Sequence, residues 1–413
     1  MEKNFETKGI LVLLIVGLLL RLIAIYLYSD EVLTNEWAVI IKNFKLTGTF
    51  GVNVVQDDLF AIPTLANEGD KVLPTIYMPP LYYYLIYLID LLFDNFSYIT
   101  SYIIILQTCL SLISIFLFYK IIRNLEKNTT LIFIATSIFA FFPLNVYVSS
   151  QISSITLQIF LLLNFIFFLT EYLKKKTITN LIFFSFFSAL LILTRAEFIL
   201  FYFLTILFFF IYFKKNFKSL FFSILFTILI ISPYIYRNYI TFNEITITKS
   251  FGYNLLKGNN PNFKVEGSPE FIEENFPRNK LNIKTDKYYE IKLDNFYKSE
   301  ALKIIKNDSL TYFKFYLKKV YSFIFFNKDS TYSGYFNFMH IIPKIFISIF
   351  SFIAAILLIR KKSFYQYLSF YYFTNILLFS IFFILPRYSL ILLPIQILLS
   401  IQLINILRGK FFN

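Results

Sequence analysis

The chain has 413 residues, of which 57% are hydrophobic and only 15% charged; a soluble domain carries close to a quarter charged residues, so a water-soluble fold is excluded. Its formal net charge of +14 sits in short Lys/Arg clusters between apolar runs, where basic residues set membrane topology rather than bind nucleic acid. A single cysteine, Cys109, excludes an intramolecular disulfide and a CxxC metal site, and a single histidine, His340, removes histidine-rich zinc chemistry and a Ser/His triad.

The apolar runs reach roughly the 18–20 residues that cross a bilayer core. In chain order they predict helices over 9–28, 97–119, 130–148, 152–172, 179–193, 197–213, 219–236, 338–359, 364–385 and 389–407. The first lacks a small-residue cleavage site and reads as a retained helix, not a signal peptide. After it comes a long loop over 29–96. Within that loop Val32 to Phe44 forms an amphipathic pattern with Trp37 at headgroup level. Leu81 to Phe93, after Met78-Pro79-Pro80, is apolar but too short to span, so it lies in the interface or re-enters. Thr194-Arg195-Ala196-Glu197 divides 179–213, because burying Arg and Glu at mid-bilayer is costly; two short helices meeting at a boundary turn avoid it. A second long loop covers 237–337. In it Phe313 to Phe326 carries Lys314, Lys318 and Lys319 among aromatics and reads as a surface-lying helix, with an extra span left open.

The expected fold is therefore all-α and membrane-integral. It has about ten transmembrane helices, with juxtamembrane amphipathic helices in two long outer loops, and forms one polytopic domain over 1–413. The segments that alternate with the outer ones hold sixteen Lys and Arg, whereas the short outer turns hold only Arg195 and Arg387. By the positive-inside rule both termini are cytoplasmic. There is no GxGxxG and no Walker A sequence, and so no reason to place a nucleotide site.

Four arginines lie in or beside apolar helices. Arg195, Arg237 and Arg387 fall at outer ends, and Arg21 sits about two turns inside the first helix. A charge at such a position is a functional hypothesis, set against simple snorkelling to the interface. The planar guanidinium suits phosphate, which it holds bidentately. Acidic residues concentrate behind the first helix: Asp30, Glu31, Glu36, then Asp57, Asp58, Glu68 and Asp70. A carboxylate at the mouth of a membrane cavity can serve as general base. Against that, Glu36 suits a first helical turn and Asp57-Asp58 a loop turn. The outer junction Tyr147 to Ser154, which includes Gln151, is rich in hydroxyls; helix packing and the lining of a substrate groove both account for it.

The order of these features resembles the bacterial GT-C glycosyltransferases related to protein O-mannosyltransferases and to the aminoarabinose transferase of lipid A (glycosyltransferase families 39 and 83). The matching residues are Asp30-Glu31, Asn35-Glu36-Trp37, Thr47-Gly48-Thr49-Phe50-Gly51 and Met78-Pro79-Pro80-Leu81-Tyr82. Further on come Arg195-Ala196-Glu197 where the family has Arg-Pro, Pro233-Tyr234-Ile235-Tyr236-Arg237-Asn238-Tyr239, Gly258-Asn259-Asn260-Pro261 and Pro386-Arg387-Tyr388. The chain departs from the family at Trp37, where Tyr is common, at Tyr234, where Trp is common, and near Gln151, where an acidic residue is often found.

The resemblance implies transfer of a sugar from a polyprenyl-phosphate donor to an acceptor hydroxyl on the outer face, with inversion. Asp30 or Glu36 would be the base. Arg237 and Arg387, then Arg195 and Arg21, would contact the donor phosphate, and Trp37, Gln151 and Tyr388 would line the cavity or acceptor path. The acceptor stays open among lipid, glycan and protein, and so does a divalent metal. Two other readings compete. O-antigen polymerases and ligases place Gly eleven residues after an outer-loop Arg, but from Arg237 that position is Thr248. A lipid or sugar transporter would show paired halves with broken midplane helices, and none is visible.

Overall fold

The computed structural model describes residues 2–33, 36–53, 72–93, 98–213, 217–332, 334–361 and 363–411. It opens with α1 (Glu2–Tyr28), followed by the short α2 (Glu36–Thr47). A two-stranded antiparallel ladder follows, β1 (Gly51–Asn53) against β2 (Val72–Pro74), with Val52 opposite Leu73. Glycine is required at 51, because a Cβ there would run into the backbone of Leu73. Then come α3 (Leu81–Phe93), α4 (Ile99–Leu125), α5 (Thr129–Phe141), α6 (Pro143–Val148), α7 (Ile155–Lys175), α8 (Ile178–Thr194), α9 (Phe198–Phe213) and α10 (Phe217–Phe242). The second loop folds as α11 (Phe251–Gly258), α12 (Pro269–Asn275), α13 (Tyr289–Asn307) and α14 (Ser309–Ile324). The chain closes with α15 (Phe338–Leu358), α16 (Phe364–Phe379), a 3-10 turn (Pro386–Leu392) and α17 (Leu393–Phe411).

All ten expected spans are helical, but they are not equal. Six are long and apolar enough to cross a membrane: α1, α4, α7, α10, α15 and the continuous Pro386–Arg408 segment. α3, α5, α8 and α9 are shorter apolar helices, and α16 has 16 residues. Two expected boundaries are corrected. The span expected over 130–148 breaks at Phe142, because Pro143 has no N–H to continue the ladder and instead starts α6 at its first position. The helix expected over 364–385 stops at Phe379, and the polypeptide turns through Ser380 before Pro386. The division at Arg195 is as expected: its backbone is extended (φ −157°, ψ 112°), which ends α8. The amphipathic helix expected over 32–44 lies at Glu36–Thr47, and α14 matches the surface helix expected over 313–326.

The lysine-rich helix ends gather at one end of the bundle. Arg123 pairs with Glu6 at 2.9 Å and Lys175 with Glu171 at 2.7 Å, the Lys174 ammonium donates to the carbonyl of Asn124 at 2.7 Å, and Asn405 bonds Glu126. The two loops therefore sit at the other end. The most enclosed spans are α7 and α17, whose apolar windows are 78% and 72% buried, against 28% for α1 and 22% for α10. α7 and α17 thus form the centre of the bundle, and α1 and α10 present side chains to its outside. A second apolar cluster, including Ile40, Val52, Leu255, Leu256, Tyr289 and Tyr297, joins the two loops into a cap.

Candidate functional site

At the loop end lies a cavity of about 590 Å³. Its walls come chiefly from residues 77–79 before α3, the start of α7, the α8–α9 turn, the stretch that enters α11, and the α16–α17 junction. Three cations and one carboxylate line it: Arg195, Lys257, Arg387 and Glu197. Such an excess of positive charge in a concave, partly apolar space favours an anion.

The three cations are held differently. The Arg195 guanidinium lies 4.6 Å from the ring centres of both Phe379 and Tyr388, with Nε 3.5 Å from a Glu197 carboxylate oxygen. Aromatic faces and one acid therefore fix it on a turn where α8 and α9 separate. Lys257 is half-buried with Nζ 4.5 Å from the Phe383 ring. Burial holds its pKa below the ordinary lysine value; Glu270 opposes this, and the like charge of Arg387 adds to it. Arg387 is exposed at the start of the 3-10 turn. Among the described residues neither Lys257 nor Arg387 has an ion-pair partner. Two like charges facing one cavity are stabilised by an anion between them.

The cavity also has neutral polar lining: Thr246, Thr248 and Ser250 before α11, and a wall at the start of α7 formed by Ser153, Ser154 and Gln158. Trp37 also lines the cavity and packs edge-on against Tyr82 at 5.1 Å. Asp30 stands next to this wall. One of its carboxylate oxygens accepts the Ile152 N–H at 2.6 Å, directly before Ser153, and its charge reaches Tyr82 and Tyr147. It remains half-exposed. Glu36 begins α2, but its side chain lies outside the described residues, as do Asp57, Asp58, Glu68 and Asp70.

Of the other expected residues, Tyr388 lines the cavity and carries Arg195. Gln151 does not line it. Its side chain donates to the Tyr28 carbonyl and accepts from the Tyr147 hydroxyl at 3.2 Å, tying the end of α1 to the α6–α7 junction. Arg237 is engaged elsewhere too: its guanidinium donates to the Thr75 carbonyl at 2.9 Å, the Asn238 side chain at 2.8 Å and the Phe50 carbonyl at 3.5 Å. It thereby fastens the β-ladder to the end of α10. Arg21 is fully buried, donating to Ser111 at 2.8 Å, the Gly17 carbonyl at 2.9 Å and the Ala140 carbonyl at 3.2 Å. That last contact has a clear cause, since the break at Phe142 orphans the final carbonyls of α5. Arg21 serves Ala140, and Asn145 serves Phe139 at 2.9 Å. The expected phosphate contacts at Arg237 and Arg21 thus give way to contacts with the protein's own carbonyls.

Lys257, Lys319 and Glu290 were not singled out from the sequence. Lys257 directly precedes the matching Gly258-Asn259-Asn260-Pro261. Lys319 read as one of three surface lysines, yet it is fully buried and donates to the Gly258 carbonyl, the Asn259 side chain and the Ile381 carbonyl at 3.0, 3.0 and 3.1 Å. The signal was its helical register: it falls four residues from both Phe315 and Phe323, on the buried face. Burial pushes its pKa down to about 7. Its contacts join the end of α11 to the turn after α16, two segments that line the cavity. Glu290, also buried, accepts from the Thr75 hydroxyl and the Ile76 N–H, both at 2.7 Å, and burial raises its pKa to about 7. Among the described residues no three His, Cys, Asp or Glu side chains come together as a metal site.

No protein-family model and no curated protein matches the chain. Its fold is similar to the crystal structure of the Archaeoglobus fulgidus oligosaccharyltransferase in the apo form, with a TM-score of 0.54 and 13% sequence identity. The match covers 97% of this chain and 51% of that one, so the chain spans about half the length of that protein. Apart from the β1–β2 ladder the architecture is helical, an integral membrane fold of the GT-C type.

Proposed function

We propose that the protein is a membrane glycosyltransferase that moves a sugar from a polyprenyl-phosphate donor to an acceptor hydroxyl, with inversion at the anomeric carbon. The observation that carries this reading is the pair Lys257 and Arg387, two cations without ion-pair partners among the described residues, facing one cavity at the loop end of a GT-C-type bundle. The neighbouring fold is that of an oligosaccharyltransferase, and the order of motifs from Asp30 to Tyr388 points the same way.

Asp30 takes the acceptor's proton, with Glu36 as the competing base. The acceptor oxygen forms a bond to the anomeric carbon as the bond from that carbon to the phosphate oxygen breaks. Its electron pair leaves with the lipid phosphate, and Lys257 and Arg387 stabilise the charge that develops there. Arg195, already paired with Glu197, supports the same field. Trp37 and Tyr388 supply apolar walls. The loop end faces outward, both termini are cytoplasmic, and the acceptor belongs to the cell-envelope glycan, a lipid or a protein.

The test is transfer itself. Purified protein in vesicles, given polyprenyl-phosphate-linked sugars and an extract of surface glycolipids, releases lipid phosphate and yields an inverted product. Absence of release with every sugar tried, alongside export of the intact lipid, favours a transporter. For orientation, in a Cys109→Ser background a cysteine at the exposed Lys284 reacts with a membrane-impermeant thiol reagent and one at the exposed Lys175 does not; equal labelling contradicts the assignment.

A further inference from the structure

Two residues that line the cavity each carry a buried polar atom with no hydrogen-bond partner among the described residues: the Ser153 hydroxyl and the Gln158 carbonyl oxygen. Ser153 is 9% exposed and Gln158 3%. Such atoms are rare in native proteins, because their water is removed and nothing replaces it. Other unpartnered buried atoms exist, among them the Arg21 Nη2 atom and the Thr108 hydroxyl, but none of those residues lines the cavity.

The surroundings keep these two atoms in place. The Ser153 backbone N–H donates to the Gln107 side-chain oxygen at 3.4 Å, and Gln107 also accepts from the Tyr82 hydroxyl at 3.1 Å. Gln158 donates its amide N–H to the Ser154 hydroxyl at 2.8 Å, which orients its oxygen as the free end. That oxygen accepts only, whereas the Ser153 hydroxyl both donates and accepts. Together they suit a ligand that presents hydroxyl groups.

Their position in the cavity narrows the choice. Ile152, whose N–H is held by Asp30, directly precedes Ser153, so this wall adjoins the carboxylate. Lys257 and Arg387 line the same cavity from other elements. In an inverting displacement the base and the leaving phosphate stand on opposite sides of the sugar ring, so the ring belongs between Asp30 and the cations, against Ser153 and Gln158.

We propose that Ser153 and Gln158 form the sugar-recognition subsite and that it selects a ring carrying free hydroxyls. The inference rests on the glycosyltransferase reading and deepens it. A site with buried groups built for hydrogen bonding rejects analogues that lack the matching hydroxyl, because its own groups are then left unpaired. An apolar wall of the same shape would not discriminate in this way.

The experiment separates this claim from the reading beneath it by using two probes. Farnesyl phosphate tests the phosphate site alone. Farnesyl phosphate linked to each of a panel of hexoses, pentoses and deoxyhexoses tests the subsite. In the full-length wild type at least one hydroxylated sugar binds more tightly than bare farnesyl phosphate, and its deoxy analogue loses that gain. Gln158→Met and Ser153→Ala each weaken binding of that sugar-linked probe by about tenfold or more, while bare farnesyl phosphate binds as before. Ser153→Ala also keeps or raises the thermal midpoint, since it removes a polar atom that nothing satisfies.

If wild type binds neither probe, the phosphate reading fails. If it binds both and neither substitution changes the preference for the sugar-linked probe, the subsite is overturned and the reading survives. A drop in thermal midpoint for Ser153→Ala with unchanged sugar preference assigns the hydroxyl to an internal water and also overturns the subsite.

Discussion

Two groups of charged residues stand at the loop end, and they differ in what their hydrogen-bonding capacity is used for. In the β-ladder region Arg237 donates to the carbonyls of Thr75 and Phe50, and both oxygens of Glu290 accept from Thr75 and Ile76. In the cavity region Lys257 and Arg387 have no ion-pair partner among the described residues, and Asp30 has one oxygen on a single N–H while half-exposed. The first group is occupied by the protein and holds the cap together. The second retains capacity for a ligand. A basic residue at an outer helix end is thus ambiguous until its partners are known, and the partners depend on local backbone breaks that leave carbonyls bare.

The comparison breaks most visibly at the carboxylates. Asp30→Asn at equal membrane expression should lower transfer by about 10² to 10⁴, the usual loss for a general base, whereas Glu290→Gln should leave turnover near wild type. Glu36→Gln belongs in the same assay: inactivity of that variant alone, with Asp30→Asn active, moves the base to Glu36. Near-normal transfer in both would end the mechanism.

The cations come next in size. Arg387→Lys keeps the charge and loses the planar fork, so donor affinity should fall by about tenfold, the equivalent of 1.4 kcal/mol. Lys257→Gln should do the same. Arg237→Lys should leave donor KM unchanged and lower the thermal midpoint instead, because it loosens the β-ladder. A rise in donor KM for Arg237→Lys equal to that for Arg387→Lys would erase the distinction.

A smaller effect is expected where a buried arginine only caps a helix. Arg21→Met leaves the Ala140 carbonyl and the Ser111 hydroxyl without this donor, at about 1–3 kcal/mol for an unsatisfied buried group. Chemical denaturation in mild detergent should show that loss with donor affinity intact.

The smallest is a pH slope. Burial raises the Glu290 pKa from 4.5 to about 7, so the folded state binds this proton more tightly than the unfolded one. The stabilisation is fully present below about pH 4.5 and is lost as pH rises through 7. Thermal midpoints of wild type should fall between pH 5 and 8 relative to Glu290→Gln; parallel curves would remove the assignment.

Much of the bundle was legible because apolar length and basic clustering are properties of the chain itself. The turn at Arg195 and the short α3 followed from the cost of charge in a bilayer and from helix length; α14 was expected as a helix, but not the register that buries Lys319. The break at Phe142 was missed because the expected span ran straight through Pro143. The β-ladder and α11 to α13 were missed because their apolar residues are scattered: Leu255, Leu256 and Tyr297 form a core only once the two loops meet. For the site, Arg195, Arg387, Trp37 and Tyr388 line one cavity, with Asp30 beside it. Arg237 and Arg21 were not, since nothing in the sequence says that the Thr75 and Ala140 carbonyls would claim their protons. Lys257 was overlooked although it adjoins a matching motif, because a lysine before a glycine carries no signal by itself.

The central claim is that the cations of this cavity, and not Arg237, receive a lipid phosphate. The most direct measurement is a structure of the full-length protein in lipid nanodiscs with farnesyl phosphate bound. The account predicts phosphate density within hydrogen-bonding distance of Arg387 and Lys257, with Arg237 still on the Thr75 carbonyl. Density against Arg237, with that bond broken and the cavity unchanged, would contradict it.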